Sequence, residues 1–394
     1  MIFTWLEELG NGVLRLFLNP LFYWTFIFLF FVGYRRIKRE RKQFGVKIFD
    51  LFSEAKRTWI DAFIIGIFVS FLFIGAGVVF SYGDMLVLSV VMILLSIGFR
   101  STLLSPGYTI GISYIILLFM PLLLEEQTFF SGEFIAESNF VGLTALLGIM
   151  LIAEAFFIRR VERQETFPSL RKSPRGIWIG EHHLHKTTSI PLILLVPGGA
   201  IESFAPYWPL LPIGENEYGL ILFPFLLGFS YHIRSDLAIN AAKRLSKQVL
   251  LLGIVVFLIS TAGYFLNGMS LLALIIGMLG REFISYRLHT RDKKETPFFK
   301  PEEEGLRVLG VIPGTPAERL EIRVGELVTK VNGVRINHPD DFYEVLQSTG
   351  AYFRLEIVDD NGEARFVQSA FYEDDHYRLG FLFVEEPFRL ENKK

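Results

Sequence analysis

Glu181-His182-His183-Leu184-His185 sets a carboxylate and three imidazoles within five positions. These are donors that zinc and other borderline transition metals take. A metal centre needs them on a fixed scaffold. This run falls in a basic segment between apolar stretches, so it reads as a solvated loop without a metal. A second candidate is Ser230, in Gly228-Phe229-Ser230, with His232 two residues on. A serine nucleophile is often presented on a Gly-x-Ser-x-Gly turn. That frame is not completed here, and on a helix His232 points away from Ser230. The pattern His-Glu-x-x-His, which puts two imidazoles and a catalytic glutamate on one helix face, does not occur in the sequence. With no cysteine, disulfides, thiol catalysis and thiolate metal sites are excluded. These residues predict no enzyme, no cofactor, no metal and no small-molecule substrate, and nothing marks a nucleic-acid partner.

The elements that carry these residues are built for a bilayer. Of 394 residues, 51% are hydrophobic and forty are phenylalanine; mean hydropathy is +0.41. Runs at 13–32, 60–80, 85–99, 108–124, 140–158 and 249–266 approach the ~20 residues that cross a membrane core. The first run has no basic leader and no Ala-x-Ala site, so it reads as a retained span rather than a cleaved signal. Residues 1–299 carry 27 basic against 22 acidic side chains, and residues 300–394 carry 12 against 19. Basic loops hold nine Lys+Arg at 34–59, seven at 159–189, four at 234–247 and five at 281–294. The loops between are neutral or acidic, notably 125–138 with Glu125, Glu126, Glu133 and Glu137. Basic loops stay in the cytoplasm, which predicts an external N-terminus, an internal C-terminus and an odd number of crossings. Segments 190–213 and 220–232, broken by Pro191, Pro197, Pro206, Pro209, Pro212 and Pro224, read either as two crossings or as one re-entrant hairpin. The count is then nine or seven. Residues 269–280 make a short last span, with Arg281 and Glu282 reaching to the interface. Glu154 is expected to pair with Arg159 or to snorkel. Gly107-x-x-x-Gly111 permits close helix contact, and the basic run 35–42 suits topology setting or anionic lipid heads.

Beyond a charged linker at 292–304 the pattern changes to that of a small α+β domain at 305–386, with a tail at 387–394. Residues 306–312, 327–331, 353–358 and 363–370 read as strands, with turns at Asn332-Gly333 and 359–362. Asn337-His338-Pro339-Asp340-Asp341 starts a helix whose apolar stripe is Phe342, Val345 and Leu346. Gly314-Thr315-Pro316-Ala317, Leu320-Glu321-Ile322, Gly325-Glu326, Leu327-Val328 and Asn332-Gly333 follow one another as in bacterial PDZ domains, which this stretch resembles. Glu321 stands where that family prefers glycine, so the loop there is expected to differ locally. The resemblance implies capture of a peptide's terminal carboxylate on an apolar-Gly-apolar loop, with the peptide added as a strand. Glu302-Glu303-Glu304 would repel a carboxylate, whereas 378–384 offers Arg378-Leu379-Gly380-Phe381-Leu382-Phe383-Val384. A circularly permuted PDZ follows, its groove formed by Leu379, Gly380, Phe381, Leu382 and Phe383 facing Phe342 and Leu346. On the alternative reading, 379–384 is only a closing edge strand.

Residues 19–24 and 34–45, the run Leu195-Val196-Pro197-Gly198-Gly199 with Pro206-Tyr207-Trp208-Pro209, and a C-terminal PDZ together resemble the MinJ family of Gram-positive division-site proteins. The resemblance covers nearly the whole chain. It implies a plasma-membrane adaptor at cell poles and septa, linking a DivIVA-type polar protein to the division inhibitors MinC and MinD, with no enzymatic activity. Two other readings stand beside that scaffold. One is a PDZ that presents substrates to a membrane protease; the other is a transporter, suggested by the proline-broken pair.

Overall fold

The computed structural model describes residues 2–124, 138–214, 217–348, 352–370 and 379–389. The acidic stretch 125–137, Glu215, Arg378 and residues 390–394 lie outside the described residues. Eight long helices and a three-stranded sheet precede the C-terminal domain. Helix α1 (Ile2–Leu18) meets α2 (Pro20–Phe44) at a 58° bend. Asn19 makes the break: its side chain caps α2 on Leu21 N–H at 3.0 Å and donates to Ser89 Oγ at 3.1 Å, with Pro20 at the first helical position. Helices α3 (Ser53–Ala76), α4 (Tyr82–Ser96), α5 (Pro106–Leu124), α6 (Phe140–Arg159), α7 (Ala238–Ala262) and α8 (Met269–Lys294) follow. Among the described residues, four helices are long and apolar enough to cross a membrane, or five with the bent pair as one; α4 and α5 are shorter apolar helices. Phe63, Phe68, Phe71, Leu251 and Leu279 point outward from this bundle, as lipid-facing side chains do.

The proline-rich segments are strands, not helical spans. β1 (Phe167–Lys172), β2 (Trp178–Glu202) and β3 (Glu217–Ile233) form one antiparallel sheet in that order. β2 and β3 run as a long ribbon from His182 opposite Ile233 to Glu202 opposite Glu217, with a bulge between Pro197 and Ile201. Pro191 sits opposite Pro224, so both missing N–H groups fall in one rung of a two-stranded ribbon, where proline is tolerated. The ribbon is wrapped by helices: Ile190, Leu192, Leu194, Phe223, Phe225, Leu226 and Phe229 are all buried. Burial on both faces removes the period-two signal and leaves a continuous apolar run that periodicity cannot separate from a helix. Edge groups find partners in the helices. Ile193 N–H donates to Ser70 Oγ at 2.7 Å, and Leu220 C=O accepts from Arg15 at 2.7 Å. Internal satisfaction of this kind is what a low-dielectric setting requires.

Polar residues expected at an interface are inside. Arg281 and Glu154 are 1% and 0% exposed, and Arg281 Nη2 lies 2.5 Å from Glu154 Oε1. The partner of Glu154 is thus not Arg159, and Arg281 does not snorkel. Ser105 Oγ donates to Glu154 at 2.7 Å, and Arg281 donates to Ser105 at 2.9 Å and Ser285 at 2.7 Å. Helix α8 continues fourteen residues past Gly280 to Lys294, so the arginine lies mid-helix rather than at a span's end. Gly107 and Gly111 of α5 face Arg281 and Met278 of α8, the close contact their spacing permits.

One end of the bundle gathers α2's last turn, β1, the start of β2, α8's end and the C-terminal domain. Gln43 exchanges two hydrogen bonds with the Leu170 backbone, Gly180 N–H donates to Phe299 C=O at 2.8 Å, and Phe298 N–H donates to Arg234 C=O at 2.7 Å. All four basic segments therefore reach this end. Val78, Val79 and Asn139 mark the opposite end, where Val79 bridges Leu195.

The C-terminal domain has the sheet β4 (Leu306–Arg307), β6 (Leu327–Val331), β8 (Tyr352–Val358), β9 (Ala364–Ala370), with β7 (Val334–Arg335) on β6. A second pair joins β5 (Gly310–Val311) to β10 (Phe381–Leu382); the helices are α9 (Pro316–Arg319) and α10 (Pro339–Ser348). After α9 the loop keeps the left-handed turn despite its glutamate: Glu321 has φ 54°. Its N–H reaches Glu318 C=O at 2.9 Å, and its C=O accepts from Arg365 at 3.0 Å. A non-glycine residue there costs ~1–2 kcal/mol, part of which glycine returns through unfolded-state entropy. Glu321→Gly is expected to stabilise the protein by about 0.5–1 kcal/mol, measured as a rise in the denaturation midpoint of this domain.

Candidate functional site

The sequence-selected groove residues converge. Leu379 and Gly380 form a left-handed pair at φ 53° and 87°, turning the chain into β10. Gly380 C=O accepts from Ile312 N–H at 2.9 Å, and Leu382 C=O accepts from Leu309 N–H at 2.8 Å. Even-numbered carbonyls thus face β5. By strand alternation the main-chain groups of Phe381 and Phe383 face the other way, the edge on which an added strand would pair.

Between this strand and α10 the space is occupied by aromatic rings. The Phe342 ring lies 5.3 Å from Phe381 and 5.2 Å from Phe383, and those two stack at 5.7 Å. Leu346, Leu379, Phe381 and Phe383 are all within 2% of full burial, in one core with Val311, Ala317 and Phe353. A ligand's terminal side chain would enter only by parting these rings. The remaining strand residue, Leu382, belongs to a different cluster, with Phe44, Phe49, Phe167, Leu170, Phe299 and Leu309. So the strand's two faces serve two cores, the domain's own and the seam with the membrane part.

That seam has polar locks. Arg163 bonds Asp360 through both terminal nitrogens, Nη2 to Oδ1 at 2.8 Å, and donates to Val324 C=O. Gln164 Nε2 reaches Ile322 C=O at 2.7 Å. Gly180 comes so near that an added Cβ would stand 2.4 Å from Leu309 and 2.8 Å from Phe299. Ile322 and the turn at 359–362 are legible in the sequence as PDZ features, but nothing local marks them, Arg163, Gln164 or Gly180 as a seam. The alternation of Phe381 and Phe383 against Leu382 and Val384 carried the signal, since a strand apolar on both faces has two cores to meet.

The imidazoles expected in a solvated loop are on β2 instead. His182 and His183 are 1% and 5% exposed. His182 faces one way, with Thr166 Oγ1 at 2.7 Å from its Nδ1 and the Phe299 ring at 4.8 Å. Glu181, His183 and His185 alternate onto the other face, where His183 stands opposite His232 and His185 opposite Ser230. His183 and His185, with Ser230 and His232, line a cavity of about 460 Å³. A β-strand with a paired neighbour is the fixed scaffold that a loop would not supply.

Residues 307–359 match the PDZ domain family. Across its length the chain is 33% identical to the cell division topological determinant MinJ of Bacillus subtilis, over 389 residues that take in 98% of this chain and 97% of that protein. The chain belongs to the MinJ family. A Lacticaseibacillus paracasei protein carrying the same MinJ designation is 23% identical over 380 residues, 95% of this chain and 99% of its own. A Synechocystis protein named for the serine protease HhoA matches only 62 residues at 36% identity, 16% of each chain, within the PDZ region. The MinJ relation spans bundle, ribbon and PDZ together, so the membrane part and the docked domain belong to one family plan.

Proposed function

We propose that this MinJ-family chain is a membrane-held scaffold in division-site selection. It bridges a DivIVA-type polar protein to MinC and MinD, with no catalytic step of its own. The end-to-end identity with a cell division topological determinant carries this reading. The fold supports it: the PDZ is fastened by Arg163 and Gln164, and packs through Leu309 on Gly180, at the end where the basic segments meet. Under the positive-inside rule that end faces the cytoplasm. On this reading α2 through α8 all cross, the shorter α4 and α5 included, with α1 bent across the outer end and the β2–β3 ribbon enclosed among them, which gives an external N-terminus and an internal C-terminus. The sequence boundaries stand within this proposal: residues 1–291 in the membrane, 292–304 as linker, 305–386 as a circularly permuted PDZ, and 387–394 as tail. The transporter reading loses its footing, because the proline-broken segments it rested on are paired strands. The protease-presenter reading rests on a PDZ-sized match alone.

A fluorescent fusion of the full chain is expected to gather at septa and poles of a dividing rod. Crosslinking in membranes before purification is expected to recover division proteins. An even distribution around the envelope, together with recovery of a protease, would overturn the scaffold in favour of the presenter.

A further inference from the structure

Among the described residues, one cluster outside the PDZ has the composition and spacing of a metal centre. Glu181 and His183 are two apart on β2 and so share a face; His232 of β3 stands directly opposite His183 in the ladder. Glu181 Oε1 lies 3.5 Å from His232 Nδ1 and 3.7 Å from His183 Nε2. The two rings are 3.9 Å apart between centroids, and all the ligand atoms fall within 4.8 Å of one another. Bonds of ~2.0–2.1 Å in a tetrahedral site put ligand atoms about 3.3–3.5 Å apart, so the cluster needs only small side-chain shifts to close on an ion. We propose that Glu181, His183 and His232 bind a divalent transition metal of the zinc type, with the fourth position open to the cavity.

The donor set is two imidazoles and one carboxylate, which suits zinc among the available divalent ions. Ser169 Oγ, 2.8 Å from His183 Nε2 and 3.3 Å from Glu181 Oε1, supplies an oxygen beside the same point. His232 is 54% exposed at its side chain and gives the ion a way in. The surroundings also carry positive charge. Arg171 lies 3.6 Å from the second Glu181 oxygen, and Arg35, Arg39 and Arg100 line the cavity together with Glu54. Such a wall disfavours a bare dication and favours one whose open position holds hydroxide or another anion. An ion at this point would tie β1, β2 and β3 together beneath Gly180, where the PDZ rests, so its role is structural support of that seam.

The test uses the full chain purified in detergent and stripped with chelator. Zinc is then titrated in competition with a chromophoric chelator, and cobalt is added separately for its visible absorption. One zinc per chain and the strong visible bands of four-coordinate cobalt are expected. Losing a direct ligand should cost at least the ~10–100-fold that loss of a mere supporting residue costs, so His232→Ala and Glu181→Gln should each weaken zinc binding by about 100-fold or more. His232→Ala, at a half-exposed site, should leave the melting of the metal-free protein unchanged, and His338→Ala in the PDZ should leave zinc affinity unchanged. Substoichiometric zinc, octahedral-type weak cobalt absorption, or wild-type affinity in both ligand variants would overturn the proposal. So would a cavity that takes up inorganic phosphate while refusing zinc.

Discussion

Glu154→Ala is expected to cost about 3–5 kcal/mol of stability and to leave little protein in the membrane. The reason is what it strands. Arg281 is 1% exposed and, among the described residues, has Glu154 as its only acidic partner; its other two partners are the hydroxyls of Ser105 and Ser285. A guanidinium cannot shed its proton to escape, so removing the carboxylate leaves a buried charge with two neutral hydroxyl acceptors and the face of Tyr231, 5.4 Å away. Arg281→Met strands the carboxylate instead and should be damaging in the same range. The double variant Glu154→Leu with Arg281→Met removes both charges. Buried pairs often give way to apolar residues at no cost, so it should recover most of the loss. Thermal unfolding of the detergent-solubilised protein, with the amount inserted per cell, measures all three. Equal damage in the single and double variants would mean that the pair does more than neutralise itself.

The same pair marks where sequence reading stops. Glu154 and Arg281 lie 127 positions apart, and no local pattern joins them. Arg159, one turn from Glu154, was the visible partner, and the real one came from another helix. The ribbon failed for a different reason. Ile190, Leu192, Leu194, Phe223 and Phe225 are buried on a sheet enclosed by helices, so alternation vanished and proline became the only cue. Proline reads as a broken helix when a helix is assumed. A reading of the ribbon as spans leaves His183 in a loop and separates it from His232, its neighbour across the ladder. The PDZ was legible because its cues are local: Gly314-Thr315-Pro316-Ala317 and Asn332-Gly333 are turns whose chemistry does not depend on distant contacts. The closing strand was legible too, from Leu379-Gly380-Phe381. Its docking through Leu382 was not, since that depends on a surface far upstream in the chain, at Phe167 and Leu170.

Gly380→Ala is expected to unfold the closing strand rather than merely block a ligand. Two costs meet at this position. Its φ of 87° is one that a side chain resists, for about 1–2 kcal/mol. A Cβ there would also lie 2.0 Å from Thr315 Oγ1 and 2.4 Å from Thr315 Cβ. Rotating Thr315 moves its oxygen but not its Cβ, so the backbone must shift, at roughly 1–3 kcal/mol. Thr315→Gly in the same chain removes the collision and leaves the dihedral, so the double variant should regain the second share only. Gly380→Glu, which the carboxylate-loop reading suggests as a block, carries both penalties and cannot separate a lost site from a lost fold. A probe that leaves Gly380 alone does separate them: a diazirine-bearing aliphatic amino acid in place of Leu346, which packs in the core that Phe342 shares with Phe381 and Phe383. If a partner's tail parts those rings, irradiation of living cells should give an adduct with that partner, lost when the partner's last residues are deleted. Adducts confined to the chain itself would make 379–383 a closing edge strand and move partner binding to another face.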